Sequence, residues 1–280
     1  MNIAVCLHGL CRGSTVSAGG AYDCKFKKLR DFISPLNPDV FIHSWDKDIS
    51  DEINDIFKPE LSLYESQKDF QEEYPKYDQS KIKYNYMNGA GQGNLFKTLS
   101  FLYSRKKSIE LKNKVSKSYD AVLISRFDVG YHNDGKNKTS YLPKEFPYSQ
   151  TDKINQAYWD QTDAGASDHW FITNSKNADY LGDLYDKLPE YLASDSEYTK
   201  CCNQGWPLSC ATDEFSGQIF KVKKSDNLFK YRNDNSILVN NHCLYKWHIM
   251  QDNKWNVENC KFWNQEMWRN STTHVPGFYI

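Results

Sequence analysis

Apolar residues in this chain fall into short unbroken runs separated by longer polar or periodic stretches, the pattern of an α/β protein. The first run, Asn2-Ile3-Ala4-Val5-Cys6-Leu7, predicts a strand at the very start. Asp39-Val40-Phe41-Ile42-His43-Ser44-Trp45-Asp46 predicts a second, with His43 and Trp45 alternating onto one face. Ala121-Val122-Leu123-Ile124 shows no period-2 alternation and reads as a strand buried on both faces. Trp170-Phe171-Ile172-Thr173 predicts another.

Helical spacing fills the gaps. Phe26, Leu29, Phe32 and Ile33 share one face of a helix predicted over residues 21–33, ended by Ser34-Pro35-Leu36-Asn37-Pro38. Leu95, Leu99, Leu102 and Ile109 form the apolar stripe of a longer helix, with Lys and Arg expected on its other face. Ser175 is placed to cap a helix carrying Leu181, Leu184 and Leu188, stopped by Pro189. Residues 50–86 are polar and weakly periodic. A short helix near residues 51–57 and a strand at residues 61–64 are expected there, and a mobile lid over a site is one option for the segment.

The 280 residues suffice for one large α/β domain, and 39% apolar content allows a sizeable core. One domain over residues 1–280 is expected; any division falls near residue 145, between a nucleotide half (1–145) and an acceptor half (146–280). The net charge of -1 argues against nucleic acid as a partner. No apolar run approaches the roughly 20 residues that span a bilayer, so no membrane span is expected. The eight cysteines form no Cys-x-x-Cys pair and have no His at zinc-finger spacing. With no signal-peptide pattern at residues 1–7, free thiols and a cytoplasmic, soluble protein are the expectation.

Candidate chemistry gathers where strands end. Ser125, Arg126 and Asp128 follow the apolar run at 121–124, and ligands of open α/β sheets gather at carboxyl ends of strands. Arg126 and Asp128 point the same way in an extended chain, about 7 Å apart along it. One can neutralise a phosphate and the other hold a divalent metal; a local ion pair closing the strand is the plain alternative. His8-Gly9-Leu10-Cys11-Arg12-Gly13 is a glycine-containing loop after the first strand, suited either to a phosphate or to an ordinary turn. The loop Asn88-Gly89-Ala90-Gly91-Gln92-Gly93-Asn94 precedes a helix and is either an anion cradle or a hinge. Asp168, just before the 170–173 strand, is a candidate general base, with a turn-forming role as its alternative. Asp213 and Glu214, after Thr212, are placed to complement a helix dipole, and Asp213 is the second candidate catalytic carboxylate. Four tryptophans, Trp247, Trp255, Trp263 and Trp268, offer flat faces for sugars, and His242, His248 and His274 are further possible metal ligands; core packing is the default for all of them.

Four of these segments in one order, residues 3–12, 39–46, 119–128 and 167–172, resemble GT-A-type, nucleotide-sugar-dependent glycosyltransferases of large viruses and bacteria. The likeness covers the core of roughly the first 185 residues. Within that group the chain looks most similar to glycosyltransferases of large algal viruses, with xylosyl transfer a narrower suggestion that has no motif of its own. The resemblance implies a GT-A-like domain: a mixed, Rossmann-like central sheet flanked by helices, with a metal and diphosphate motif at the end of a central strand. In the usual pattern that motif is Asp-x-Asp; here Arg126-Phe127-Asp128 replaces one carboxylate by a cation. It implies a nucleotide-sugar donor, UDP-linked by preference, and an oligosaccharide or glycoprotein glycan as acceptor. Donor contacts are expected from Val5, Leu7, His8, Gly9, Arg12, Trp45, Ser125, Arg126 and Asp128. Asp128 is expected to hold Mn²⁺ or Mg²⁺, and Asp168 either to deprotonate the acceptor or to orient the sugar. A sugar phosphotransferase or nucleotidyltransferase, and a carbohydrate-binding module without catalysis, are the competing readings.

Overall fold

The computed structural model describes residues 1–11, 29–83, 95–127, 129, 146, 148–157, 166, 168–203, 237–251 and 260–263. Its frame is a seven-stranded sheet in the order β3-β2-β1-β5-β7-β6-β9. The strands are β1 (Ile3–Gly9), β2 (Asp39–Ser44), β3 (Leu61–Tyr64), β5 (Ala121–Arg126), β6 (Ile154–Ala157), β7 (Trp170–Thr173) and β9 (Cys260–Trp263). A small parallel pair, β4 (Ile82–Lys83) with β8 (Ile237–Leu238), stands apart from it. β1 is parallel to β2 and β5, and β2 to β3. β7 runs antiparallel to β5 and β6, and β6 is parallel to β9. The sheet is therefore mixed, with β7 the reversed strand, and strands from both sides of residue 145 share it.

The apolar runs become strands because both faces of the sheet are covered. Ile3, Val5 and Leu7 enter one core with Leu29, Ile33, Ile53 and Phe57. Ala4 and Cys6 enter the opposite core with Leu95, Leu99, Leu102 and Ile109. The helical residues 29–33 and the Ser50–Phe57 helix thus serve one face, and the Leu95–Asn113 helix the other. Alternate residues of each strand meet apolar neighbours, so no period-2 polarity is left to see in the sequence.

The chain leaves β1 for β2 and β3 on one side and returns to pair β5 on the other. That reversal is the switch point at which open α/β sheets form their ligand crevice, beyond the carboxyl ends of the strands. β7 is reversed, so its amino-terminal end lies at the same edge: Trp170 is opposite Ser125, and the Arg126 N–H donates to the His169 carbonyl at 3.2 Å.

Three expectations need correction. Residues 50–83 are not a lid, because Phe70, Tyr77 and Ile82 anchor them in the core and Leu61–Tyr64 forms an edge strand. The helix after Ser175 is capped by Asn174, whose side chain accepts from the Asn177 N–H at 2.8 Å. It ends at Gly182, and a second helix, Leu184–Tyr191, carries Pro189 inside it. Proline there forfeits one helical bond near the end, where the Leu192 N–H still reaches the Leu188 carbonyl at 2.8 Å. Lastly, Arg105 and Lys112 of the long helix are not on its polar face; both are buried. Arg105 lies three residues after Leu102 and four before Ile109, inside the apolar stripe.

Candidate functional site

Four expected residues converge at the switch point: His8 and Gly9 at the end of β1, Arg126 at the end of β5, and Asp168 at the entry to β7. His8 and Arg126 are register partners across β1 and β5. Arg126 Nη1 lies 3.4 Å from Asp168 Oδ1, an ion pair in which Arg126 is half-buried and Asp168 buried. Arg105, which the sequence reading put on the exposed face, completes the cluster. Its Nε–H donates to His8 Nε2 at 3.0 Å, and Nη2 donates to the Asp168 main-chain carbonyl at 2.6 Å.

The electrostatics follow from this packing. Burial would raise the Asp168 pKa, but the neighbouring His242, Arg126, His169 and Arg105 outweigh it and hold the carboxyl well below the usual range. Asp168 is an anion at neutral pH and a weak base. That disfavours the general-base role expected for it, since a base works best with a pKa near the operating pH. Burial first, then the Arg105 and Arg126 charges, push His8 well below the usual histidine range, so it is neutral.

Gly9 holds φ +100°, a conformation that side chains resist, and no described residue lies within 4 Å of where a Cβ would be. Its N–H donates to Ser104 Oγ at 2.8 Å. Ser104 Oγ is 2.7 Å from His43 Nδ1, and His43 Nε2 is 2.9 Å from Glu65 Oε1. A carboxylate only accepts, so Nε2 carries the His43 proton and Nδ1 accepts from the Ser104 hydroxyl. Hydroxyl, imidazole and carboxylate in series have the order of a nucleophilic triad. Ser104 and His43, however, have no exposed surface. The series is a pin between the end of β1, the end of β2 and the long helix.

Other expected residues have other places. Val5 and Leu7, expected at the donor, are core residues with no exposed side-chain surface, and their backbone pairs with β2 on one side and β5 on the other. Trp45 packs in the core as well, stacked on Tyr103 at 5.5 Å and edge-on to His43 at 4.8 Å, so it does not line the crevice. Ser125 faces the opposite side of the sheet from Arg126 and donates its hydroxyl to the Arg126 carbonyl at 2.9 Å. His248 is engaged by Tyr191 and Tyr180 rather than free for a metal. Trp247 packs against the core edge-on to Tyr198. Arg12, Asp128 and Asp213 lie outside the described residues, as do the 88–94 loop and His274. Cys6 is a buried free thiol.

Among the described residues, no group of three or more His, Cys, Asp or Glu side chains is assembled to hold a metal ion. Among them too, no helix is long and apolar enough to cross a membrane. Comparison with models of protein families, with curated proteins and with solved structures gave no significant match.

Proposed function

We propose that the protein is a nucleotide-sugar-dependent glycosyltransferase of GT-A type, moving a sugar from a nucleoside diphosphate, UDP by preference, to a glycan hydroxyl. The observation that carries this reading is the meeting of Arg126, Asp168 and His8 at the switch point of a mixed α/β sheet. These are residues from three of the four segments on which the resemblance rests, and the fold brings them to one edge.

Each group has a task suited to its chemistry. Arg126 is always charged and can fork onto two phosphate oxygens, which stabilises a departing diphosphate. Gly9, with no Cβ, lets ligand atoms approach its backbone. Asp168 stays ionised; it orients Arg126 and faces the positive character that develops on a sugar as its leaving group departs. Asp128 would hold Mn²⁺ or Mg²⁺, which would supply further positive charge to the diphosphate. The described residues do not by themselves make a metal site.

The test is product analysis. The protein is incubated with UDP-xylose, UDP-glucose and UDP-galactose, with oligosaccharide acceptors. Free UDP together with a lengthened glycan is the expected result. Pyrophosphate or a phosphosugar would mean nucleotidyl or phosphosugar transfer, and glycan binding with no need for nucleotide would mean a binding module.

A further inference from the structure

The turn that leaves β1 is held by two of its backbone donors. The Gly9 N–H donates to Ser104 Oγ at 2.8 Å. Two residues on, the Cys11 N–H donates to Asp46 Oδ2 at 2.5 Å. The Cys11 side chain is buried in the core with Leu29 and Ile33, and its Sγ lies 3.5 Å from Ser44 Oγ. Leu10, between the two, is 54% exposed. Residues 9 and 11 are thus tied to the protein, while the residue between them stands at the surface.

Asp46 is itself fixed where it reaches Cys11. Its N–H donates to Ser44 Oγ at 3.1 Å, and its carbonyl accepts from the Ile49 N–H at 3.3 Å as the chain enters the short Lys47–Ile49 turn. The residue is only 5% exposed. Burying a carboxylate is costly unless it is hydrogen-bonded, and a carboxylate holds a backbone N–H more strongly than a neutral oxygen does. Gly9 and Ser44 are register partners at the carboxyl ends of β1 and β2. The clasp between Cys11 and Asp46 therefore lies just beyond those ends, at the edge where a sheet of this kind forms its ligand crevice.

We propose that Asp46 is a positioning residue: its carboxylate sets the turn at residues 9–11 in the shape that receives the nucleotide-sugar donor, before the donor arrives. This rests on the crevice being a nucleotide-sugar site, and Asp46 itself touches no substrate. A turn set in advance lowers the ordering cost of binding. It serves the bound donor and the transition state alike, so its loss falls on KM rather than on kcat.

The experiment compares the full-length wild type with Asp46→Ala, Asp46→Asn and Asp46→Glu. UDP affinity is measured by calorimetry, donor KM and kcat by UDP release, and exchange of the Cys11 amide by NMR. In the wild type the Cys11 amide is expected to exchange slowly with and without UDP; protection that appears only with UDP would mean that the ligand shapes the turn, and overturns the inference. Asp46→Ala is expected to weaken UDP by about tenfold and to raise the donor KM with kcat near that of the wild type. Asp46→Asn keeps an oxygen in place to accept from Cys11 and should bind UDP within about threefold of the wild type. Asp46→Glu keeps the charge but carries it one methylene further out, and should weaken UDP as Asp46→Ala does. Should Asp46→Ala not fold, the other two decide: equal UDP affinity in Asp46→Asn and Asp46→Glu overturns the inference. A stability loss in Asp46→Ala with wild-type UDP affinity overturns it as well, since that is the mark of a purely structural tie. A wild type that transfers sugar beside an Asp46→Ala with unchanged KM defeats this inference alone, whereas a wild type that neither binds UDP nor transfers sugar defeats the glycosyltransferase reading and this inference with it.

Discussion

Arg126 and Asp168 meet across 3.4 Å although 42 residues separate them, one closing β5 and the other opening β7. The antiparallel pairing of those strands sets their ends level, so the ion pair is a direct product of the sheet topology. Removing one partner leaves the other poorly compensated. Asp168→Asn is expected to lose about 1–3 kcal/mol at pH 7, the range for stranding a buried polar group.

That loss should depend on pH with a definite sign. The folded-state pKa of Asp168 is depressed, so its stabilisation is fully present above the unfolded carboxylate value of about 4 and fades as pH falls towards the lower folded value. Urea denaturation of wild type and Asp168→Asn at pH 7 and pH 3 should show the gap narrowing at the lower pH. A gap that is constant with pH would mean the carboxylate charge is not what stabilises.

His8 and His43 act in the other part of the pH scale. Both are held below 6.5, each chiefly by burial, with the Arg105 and Arg126 charges adding to the effect at His8 and Glu65 opposing it at His43. A histidine buried neutral contributes stability that is present above its unfolded pKa of about 6.5 and is lost as pH falls below it. The thermal midpoint is expected to drop between pH 7.5 and pH 5.5, with proton uptake on unfolding. A flat profile across that window would contradict the assignment.

The pin beneath the crevice predicts unequal costs along its length. Ser104→Ala strands both the Gly9 N–H and His43 Nδ1, two buried groups, and should cost about 1–3 kcal/mol. Glu65→Gln alters a side chain that is 30% exposed, and the change should stay within about 1 kcal/mol. Chemical denaturation of the two variants checks the order; a larger cost at Glu65 would show that the pin is held from the surface inward.

Gly9 gives a backbone prediction. At φ +100°, with no described residue within 4 Å of the position a Cβ would take, Gly9→Ala meets backbone strain first. The expected cost is about 1–3 kcal/mol. A neutral substitution, seen as an unchanged denaturation midpoint, would mean the loop adopts another conformation.

Much of the frame was legible because burial on both faces leaves a plain mark. The runs at 121–124 and 170–173 are strands as expected, the strand expected over 39–46 ends at Ser44, and the reach of β1 and β5 was underestimated at their polar ends, His8-Gly9 and Ser125-Arg126. His8, Gly9 and Arg126 at those ends belong to the candidate site, where polar residues continue a strand because a ladder partner holds them. Trp45 could be read either way in the sequence, because an aromatic after a strand suits a ring-binding site and a core alike; its packing against Tyr103 places it in the core. Arg105 was missed despite a usable signal, a charge at helical spacing within an apolar stripe. Its partners, His8 and Asp168, lie 97 and 63 residues away, and no local pattern records such a meeting.

The most direct test of the central claim is a thermal-shift screen of UDP, GDP, CMP and their sugars, with and without Mn²⁺, on wild type and Arg126→Ala. A ligand at one hundred times its Kd adds about 2.7 kcal/mol, several degrees for a chain of this length. The account predicts a shift of that size with UDP or a UDP-sugar, enlarged by Mn²⁺ and largely lost in Arg126→Ala. No shift with any nucleotide, or a shift that Arg126→Ala leaves intact, would contradict a nucleotide-sugar site at the end of β5.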